Sequence, residues 1–322
     1  MKANTTSTYS FAHEPSVGFC LLLLGVFMRV GFIGMGLMGV PMAKRLLQAG
    51  IDLSIWNRTA VACELLHTAG AHATNSAREL AASVDVLMLC VTDSAAVQAI
   101  CHGADGVFAG AHSGLIVVDH SSIAADVTRQ LAAELRQIAN AEWVDAPVSG
   151  GVTGAENGRL VIMAGGKATA IDAARPILEH YSQRITRMGD VGAGQVTKIC
   201  NQLIVAANSV LIAEAMALAE RAGVDARLLA PALAGGFADS LPFQVLSPRM
   251  AERRFTPVQW KVSTLAKDLG NAQALSAQVN LDTPLAAHAL QRLQAHAGNG
   301  FADADLSSVI AHYLPDLDVG SC

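Results

Sequence analysis

The stretch "MRVGFIGMGLMGVPMA" (residues 28–43) decides how the rest of the chain is read. Its first half, "RVGFIG", is a short apolar run that ends in glycines. Its second half opens "LMGVPMAKRLLQAG", a helical pattern that Gly50 closes. Between them Gly34, Gly36 and Gly39 stand in G-x-G-x-x-G spacing. A strand that runs through such a loop into a helix is the start of a βαβ unit.

In that setting the three glycines serve, in turn, a tight bend, close backbone approach to a pyrophosphate, and close packing of helix on strand. The free N–H groups at the helix start complete an anion site. Residues 34–39 (Gly34, Met35, Gly36, Leu37, Met38, Gly39) are therefore the expected phosphate loop of a dinucleotide. Strand two, "LSIWN", ends in Asn57, Arg58 and Thr59 with no carboxylate for the ribose hydroxyls of NAD. Arg58 can pair with a 2′-phosphate, and Asn57 and Thr59 can hydrogen-bond it. The alternative is a solvent-exposed arginine after a strand. NADP is the expected cofactor, with NAD as a second possibility.

Downstream, strand and helix signals alternate to about Asp190. "TAVACELLHTAG" is a helix that Thr59 can cap and Gly70 can end, and "SAREL" carries a capping box, Ser76 with Glu79. "VDVLMLCV" and "GLIVVDHS" are continuous apolar runs, as parallel strands covered on both faces require. Further strands are expected at "AHATN", "EWVDAPV", "RLVIMAGG" and "RITRMG". After Gly194 the pattern changes to one long helical run, "GQVTKICNQLIVAANSVLIAEAMALAERAG", apolar nearly all round and so expected to be buried. Helices continue to about Tyr313. The expected class is α/β: a Rossmann-type doubly wound sheet over residues 28–190, then an all-helical domain over 191–322.

Residues 1–27 stand apart. "VGFCLLLLGVF" (17–27) is shorter than the ~20 residues a membrane span needs, and no cleavage site follows it. An extension outside the folded unit is expected here, with a hydrophobic anchor as the rival. The chain of 322 residues is 52% hydrophobic and 15% charged, with a net charge of −5 and no basic block. That composition supports a large core and excludes an electrostatic footprint for nucleic acid. The six cysteines are scattered and the ten histidines lack metal-ligand spacing. No metal site and no membrane partner are expected, and reduced thiols fit a cytoplasmic location.

Two further stretches suggest chemistry. "DAPVSGG" (145–151) offers the Ser149 hydroxyl with the closely approachable backbone of Gly150 and Gly151, which suits a small carboxylate; a sharp turn between strands reads equally well. On the long helix, Lys198, Asn201 and Gln202 form one polar face. A lysine lining a cleft can act as general acid and base once burial lowers its pKa; the alternative is a lysine snorkelling from a helix end. Lys267 and Asp268, in "AKDLGNA", alone read as an ordinary surface pair.

Taken together, "GFIGMGLMGVPMA", "DAPVSGG", "GAGQVTKICNQ" and "KDLGNA" resemble the β-hydroxyacid dehydrogenase family over Met28 to about Pro315. The resemblance implies that Lys198 is the catalytic acid/base and that Asn201, with Gln202 beside it, helps orient substrate. Ser149, Gly150 and Gly151 would hold the substrate carboxylate. Ser122 would sit near nicotinamide and substrate, and Lys267 near the nicotinamide end of the cofactor. Cys90 and Val91 stand where many members read leucine-proline, in a loop that contacts cofactor. Asn201-Gln202 and "GGFADS" (235–240) match the pattern of 2-hydroxy-3-oxopropionate (tartronate semialdehyde) reductases; 3-hydroxyisobutyrate is the second substrate. The resemblance also implies a homodimer or homotetramer. A non-catalytic dinucleotide-binding module and an imine reductase are the rivals, and both commonly lack the lysine.

Overall fold

The structure, a computed structural model, describes residues 28–314. The expectation for residues 1–27 lies outside them. The strands are β1 (Val30–Ile33), β2 (Leu53–Trp56), β3 (His72–Ala73), β4 (Val86–Leu89), β5 (Ile116–Asp119), β6 (Glu142–Asp145), β7 (Val148–Ser149), β8 (Leu160–Gly165) and β9 (Ser182–Gly189). They form one sheet in the order β3-β2-β1-β4-β5-β6-β8-β7, with β9 also paired to β8. Strands β1 to β6 run parallel. β8 is antiparallel to β6 and β7, and parallel to β9.

Side chains alternate between the faces of a strand, and the apolar runs divide accordingly. Phe32, Ile55, Met88, Val118 and Val144 enter one core. Ile33, Leu87, Leu89, Val117 and Trp143 enter the other. Helices cover both faces, among them Gly39–Gln48, Ala77–Ser83, Ala125–Ala139 and Ala168–Leu178. This is the doubly wound arrangement that the continuous apolar strands imply. The Ser76 hydroxyl accepts the Glu79 N–H at 3.0 Å, while the Glu79 carboxylate takes the N–H of Asn75 rather than that of Ser76. Thr59 does not cap by its side chain: the segment after it opens as a 3-10 turn, Ala60–Cys63, before the helix Glu64–Thr68.

Register sets the location of the site. Ile33, Leu89, Asp119 and Asp145 lie in one row across β1, β4, β5 and β6. The residues that follow them, Gly34, Cys90, His120 and Ala146, therefore emerge along one edge. In an open parallel sheet the carboxyl ends of the strands are where ligands bind. His120 braces this edge: Nδ1 donates to the Ala146 carbonyl at 2.7 Å, so Nε2 accepts from the Tyr181 hydroxyl at 2.8 Å. Burial pushes its pKa down to about 4, so the ring stays neutral.

β9 ends at Gly189, and the helix Ala193–Arg221 begins the second half. Leu241–Ala251, Val262–Gln278 and Pro284–His296 pack with it around Val210, Met216, Phe243, Leu246, Leu265, Leu269 and Leu293. Among the described residues Ala193–Arg221 is the helix long and apolar enough to cross a membrane. Its buried Gln195, Lys198 and Gln202 make it a core helix instead. Burial all round is corrected, however. Ile204, Leu211 and Leu218 are 59%, 60% and 71% exposed. The helices that follow cover one side only, and these three residues, seven apart, line the other.

Candidate active site

The glycine loop is built as its spacing implies. Gly34 has φ +101°, and a Cβ there would lie 2.2 Å from the Cys90 carbonyl oxygen. The loop after β4 thus backs the first turn, and Cys90 and Val91 are part of its wall. A Cβ on Gly39 would fall 1.9 Å from the Gly34 carbonyl oxygen. A Cβ on Gly36 would meet nothing within 4 Å. Gly36 therefore leaves open space beside the loop backbone, whereas Gly34 and Gly39 let the protein close on itself.

Asn57 Oδ1 accepts the Met35 N–H at 3.0 Å, and its Nδ2 donates to the Thr59 carbonyl at 2.9 Å. The Asn57 amide thus ties the end of β2 to the glycine loop. Arg58 and Thr59 beside it are exposed. At the end of β2 the Arg58 guanidinium makes no hydrogen bond or ion pair among the described residues, and no carboxylate stands beside it. The pKa of the Cys90 thiol is pushed up to about 12 by burial and by nearby Asp119, so the thiol stays protonated.

Lys198 lies on the second turn of Ala193–Arg221, and only 9% of its surface is accessible. It lines a small cavity with Ser122, Gln195, Gln202, Asp268 and Asn271. Burial lowers its pKa to about 8; Asp268 opposes that shift and Lys267 adds to it. The free space is about 10 Å³, room for roughly one water. Gln202 Nε2 donates to Asp268 Oδ2 at 2.5 Å, and Asn201 Nδ2 donates to Gln202 Oε1 at 2.9 Å. The amides thus form a chain ending on a buried carboxylate.

The structure brings together Lys198, Gln202 and Ser122. Asn201 is half-buried and joins through Gln202, without lining the cavity itself. Ser149, Gly150 and Gly151 do not line it either: they form the turn from β7 into the short helix Gly151–Glu156, with φ +129° at Gly150 and +61° at Gly151. Lys267 and Asp268 are not a surface pair. Asp268 is buried against the long helix. Lys267 Nζ, 3.1 Å from Asp268, donates to the Thr92 carbonyl at 3.1 Å and so bridges the helical half to the loop after β4.

Sequence patterns do not mark Gln195 or Asn271 as residues of the site, and they read Asp268 only as a surface acid. Asp268 and Asn271 share a face of Val262–Gln278. Gln195 has the plainest signal: Gln195, Lys198 and Gln202 fall at i, i+3 and i+7, a buried polar stripe on an apolar helix. Gln195 Nε2 donates to the Ser121 carbonyl at 2.7 Å, and its Oε1 accepts the Ile123 N–H at 3.2 Å. It grips the backbone on both sides of Ser122. Asp145 anchors the same turn, accepting the N–H groups of Gly192 at 2.7 Å and Gln195 at 2.9 Å. Burial raises Asp145 to about 6 and its register neighbour Asp119 to about 7.

Comparison with known proteins agrees with this geometry. Residues 29–189 match the NAD-binding domain model of 6-phosphogluconate dehydrogenase. Residues 192–313 match the model for the NAD-binding domain of NADP-dependent 3-hydroxyisobutyrate dehydrogenase. The chain is 35% identical to the 2-hydroxy-3-oxopropionate reductase of Escherichia coli, over 88% of this chain and 96% of that protein. It is 34% identical to the NAD-dependent L-serine dehydrogenase of Pseudomonas aeruginosa, over 87% and 96%. Among solved structures, Mycobacterium tuberculosis 3-hydroxyisobutyrate dehydrogenase with L-serine superposes with a TM-score of 0.81 at 30% identity, covering 90% of this chain and 99% of that one. With a glycine loop at the carboxyl edge of the sheet and a buried lysine beside Ser122 on the long helix, the chain belongs to the β-hydroxyacid dehydrogenase family, the NAD(P)-dependent oxidoreductases of small hydroxyacids.

Proposed function

We propose that the chain interconverts a small β-hydroxyacid and its semialdehyde with a preference for NADP, and that 2-hydroxy-3-oxopropionate is its substrate. The observation that carries the reaction is Lys198, buried among polar groups and with its pKa lowered to about 8. An ammonium so tuned can give a proton to a developing alkoxide near neutral pH and take it back in the reverse direction. Nicotinamide, once bound, would supply or accept the hydride. Ser122 and the Asn201–Gln202 amides orient the substrate beside Lys198. Ser149, Gly150 and Gly151, in the turn after β7, hold its carboxylate. Residues 34–39 with Asn57, Arg58, Thr59, Cys90, Val91 and Lys267 hold the cofactor.

What supports the choice of substrate is the Asn201-Gln202 pair and the "GGFADS" segment, together with the likeness to the E. coli reductase. The likeness to the M. tuberculosis enzyme keeps 3-hydroxyisobutyrate as the second reading. A panel of 2-hydroxy-3-oxopropionate, 3-hydroxyisobutyrate, L-serine and their oxidised or reduced counterparts, assayed with NADPH/NADP and NADH/NAD, tests both choices. A kcat/KM highest for another acid would replace the substrate. Near-normal turnover in Lys198→Ala would remove its acid/base role.

We further place the division between the two functional halves near residue 190, between the end of β9 and the start of the long helix. Free thiols at Cys63, Cys90, Cys101 and Cys200 are consistent with a cytoplasmic setting. The exposed row Ile204, Leu211 and Leu218 is the face we assign to self-association as a dimer or tetramer. Leu211→Glu would then shift the sedimentation coefficient toward the monomer, and no shift would reject that face.

A further inference from the structure

A second cavity, of about 240 Å³, opens on the sheet half away from Lys198 and shares no lining residue with the first. Arg129 and Arg136 reach it from Ala125–Ala139, where a spacing of seven puts them on one face. Lys167 enters from the start of Ala168–Leu178, and Glu142 and Trp143 from the start of β6. Three cations therefore share the space with one carboxylate. That carboxylate meets two of them through a single oxygen: Glu142 Oε1 lies 2.9 Å from Arg136 Nη1 and 2.5 Å from Lys167 Nζ. Arg129 has no acidic partner among the described residues. Its guanidinium lies against the backbone of Gly192, where a Cβ would come within 2.8 Å of Nε.

Surplus positive charge and two planar guanidinium forks make an environment for an oxyanion. The volume suits a small one.

We propose that this cavity binds a small dianionic oxyanion, a phosphate group or a dicarboxylate, separately from substrate and cofactor. One excess cation would suffice for a monocarboxylate; two favour a dianion. Val191 also lines the cavity, and Val191 and Gly192 lead directly into the helix that carries Gln195 and Lys198. An occupant held by Arg129 would sit at the joint between the two halves of the chain.

Calorimetric titration of the full chain tests this at fixed ionic strength, with saturating NADP present to fill the cofactor's own phosphate positions. Inorganic phosphate and malonate are the probes, and chloride is the control. The expected result is saturable binding of one or both dianions and none of chloride. Binding should weaken about tenfold or more in Arg129→Gln/Arg136→Gln. Arg58→Ala should leave it unchanged. Both arginines are exposed, so the double variant is expected to fold, which its melting curve checks. Saturation by phosphate alone assigns a phosphate ligand, and saturation by malonate alone a dicarboxylate. No saturable heat with either dianion, an equal response to chloride, binding that survives the double substitution, or binding lost in Arg58→Ala would each overturn the proposal.

Discussion

Gln195 and Ser121, far apart in sequence, meet through a 2.7 Å hydrogen bond from the Gln195 amide to the Ser121 carbonyl. The same amide accepts the Ile123 N–H. One side chain on the lysine's own helix thus fixes the backbone that presents Ser122 to the cavity. Gln195→Ala is expected to lower kcat about 10- to 100-fold, because small misplacements of reacting groups are costly. It should also lower stability by about 1–3 kcal/mol, since it leaves buried backbone groups unpaired. Steady-state kinetics beside thermal melting separates the two effects. A fall in Tm with kcat intact would make Gln195 a purely structural residue.

The lysine's titration gives a second prediction. In the acid/base role proposed for it, Lys198 serves reduction as the ammonium, so that rate should fall as pH rises through about 8. Oxidation needs the neutral amine and should rise through the same range. Asp268 raises the Lys198 pKa against the larger lowering by burial. In Asp268→Asn the opposing charge is lost, while an oxygen remains to accept from Gln202. The midpoint in both directions should then move down by about one pH unit. A profile that stays in place in Asp268→Asn would show that Asp268 does not tune the lysine.

The proposed preference for NADP rests on the end of β2. Arg58 is exposed, and the Asn57 amide is engaged with Met35 and Thr59, so the guanidinium is the main group free to meet a 2′-phosphate. Arg58→Ala should raise KM for NADPH about 10- to 100-fold, as loss of a charge-assisted hydrogen bond implies. KM for NADH should change little. Equal changes for both cofactors would leave the NADP preference without this basis.

These groups differ in how far they could be read from sequence. Strands β1, β4 and β8 are continuous apolar runs, the glycines carry fixed spacing, and Ser76 with Glu79 caps its helix through local bonds. Local pattern suffices for all of them. Asp119 and Asp145 become neighbours only through strand register, so no window of sequence pairs them. Asp268 looks like a surface acid because its neighbour is a lysine; only the packing of its helix on Ala193–Arg221 buries it. Conversely, the apolar long helix looks buried throughout, yet its later helices cover one side only. Gln195 was legible in principle, as the first of three buried polar residues along one stripe.

The glycine loop offers the sharpest separation of folding from binding. Gly34 and Gly39 face protein: a methyl group at either would press on a backbone oxygen, at 2.2 Å from Cys90 and 1.9 Å from Gly34 respectively. Backbone cannot step aside as a side chain can, and Gly34 also holds φ +101°, which non-glycine residues rarely adopt. Gly36 faces open space. Gly39→Ala should therefore lower Tm markedly or abolish soluble expression, whether or not cofactor is present. Gly36→Ala should melt like the parent chain without cofactor, yet bind NADPH about tenfold or more weakly, because its methyl group enters the space the pyrophosphate needs. The measurement is Tm with and without NADPH for each variant. Full NADPH stabilisation of Gly36→Ala would mean that the cofactor does not approach the backbone there, and would detach this loop from its assigned role.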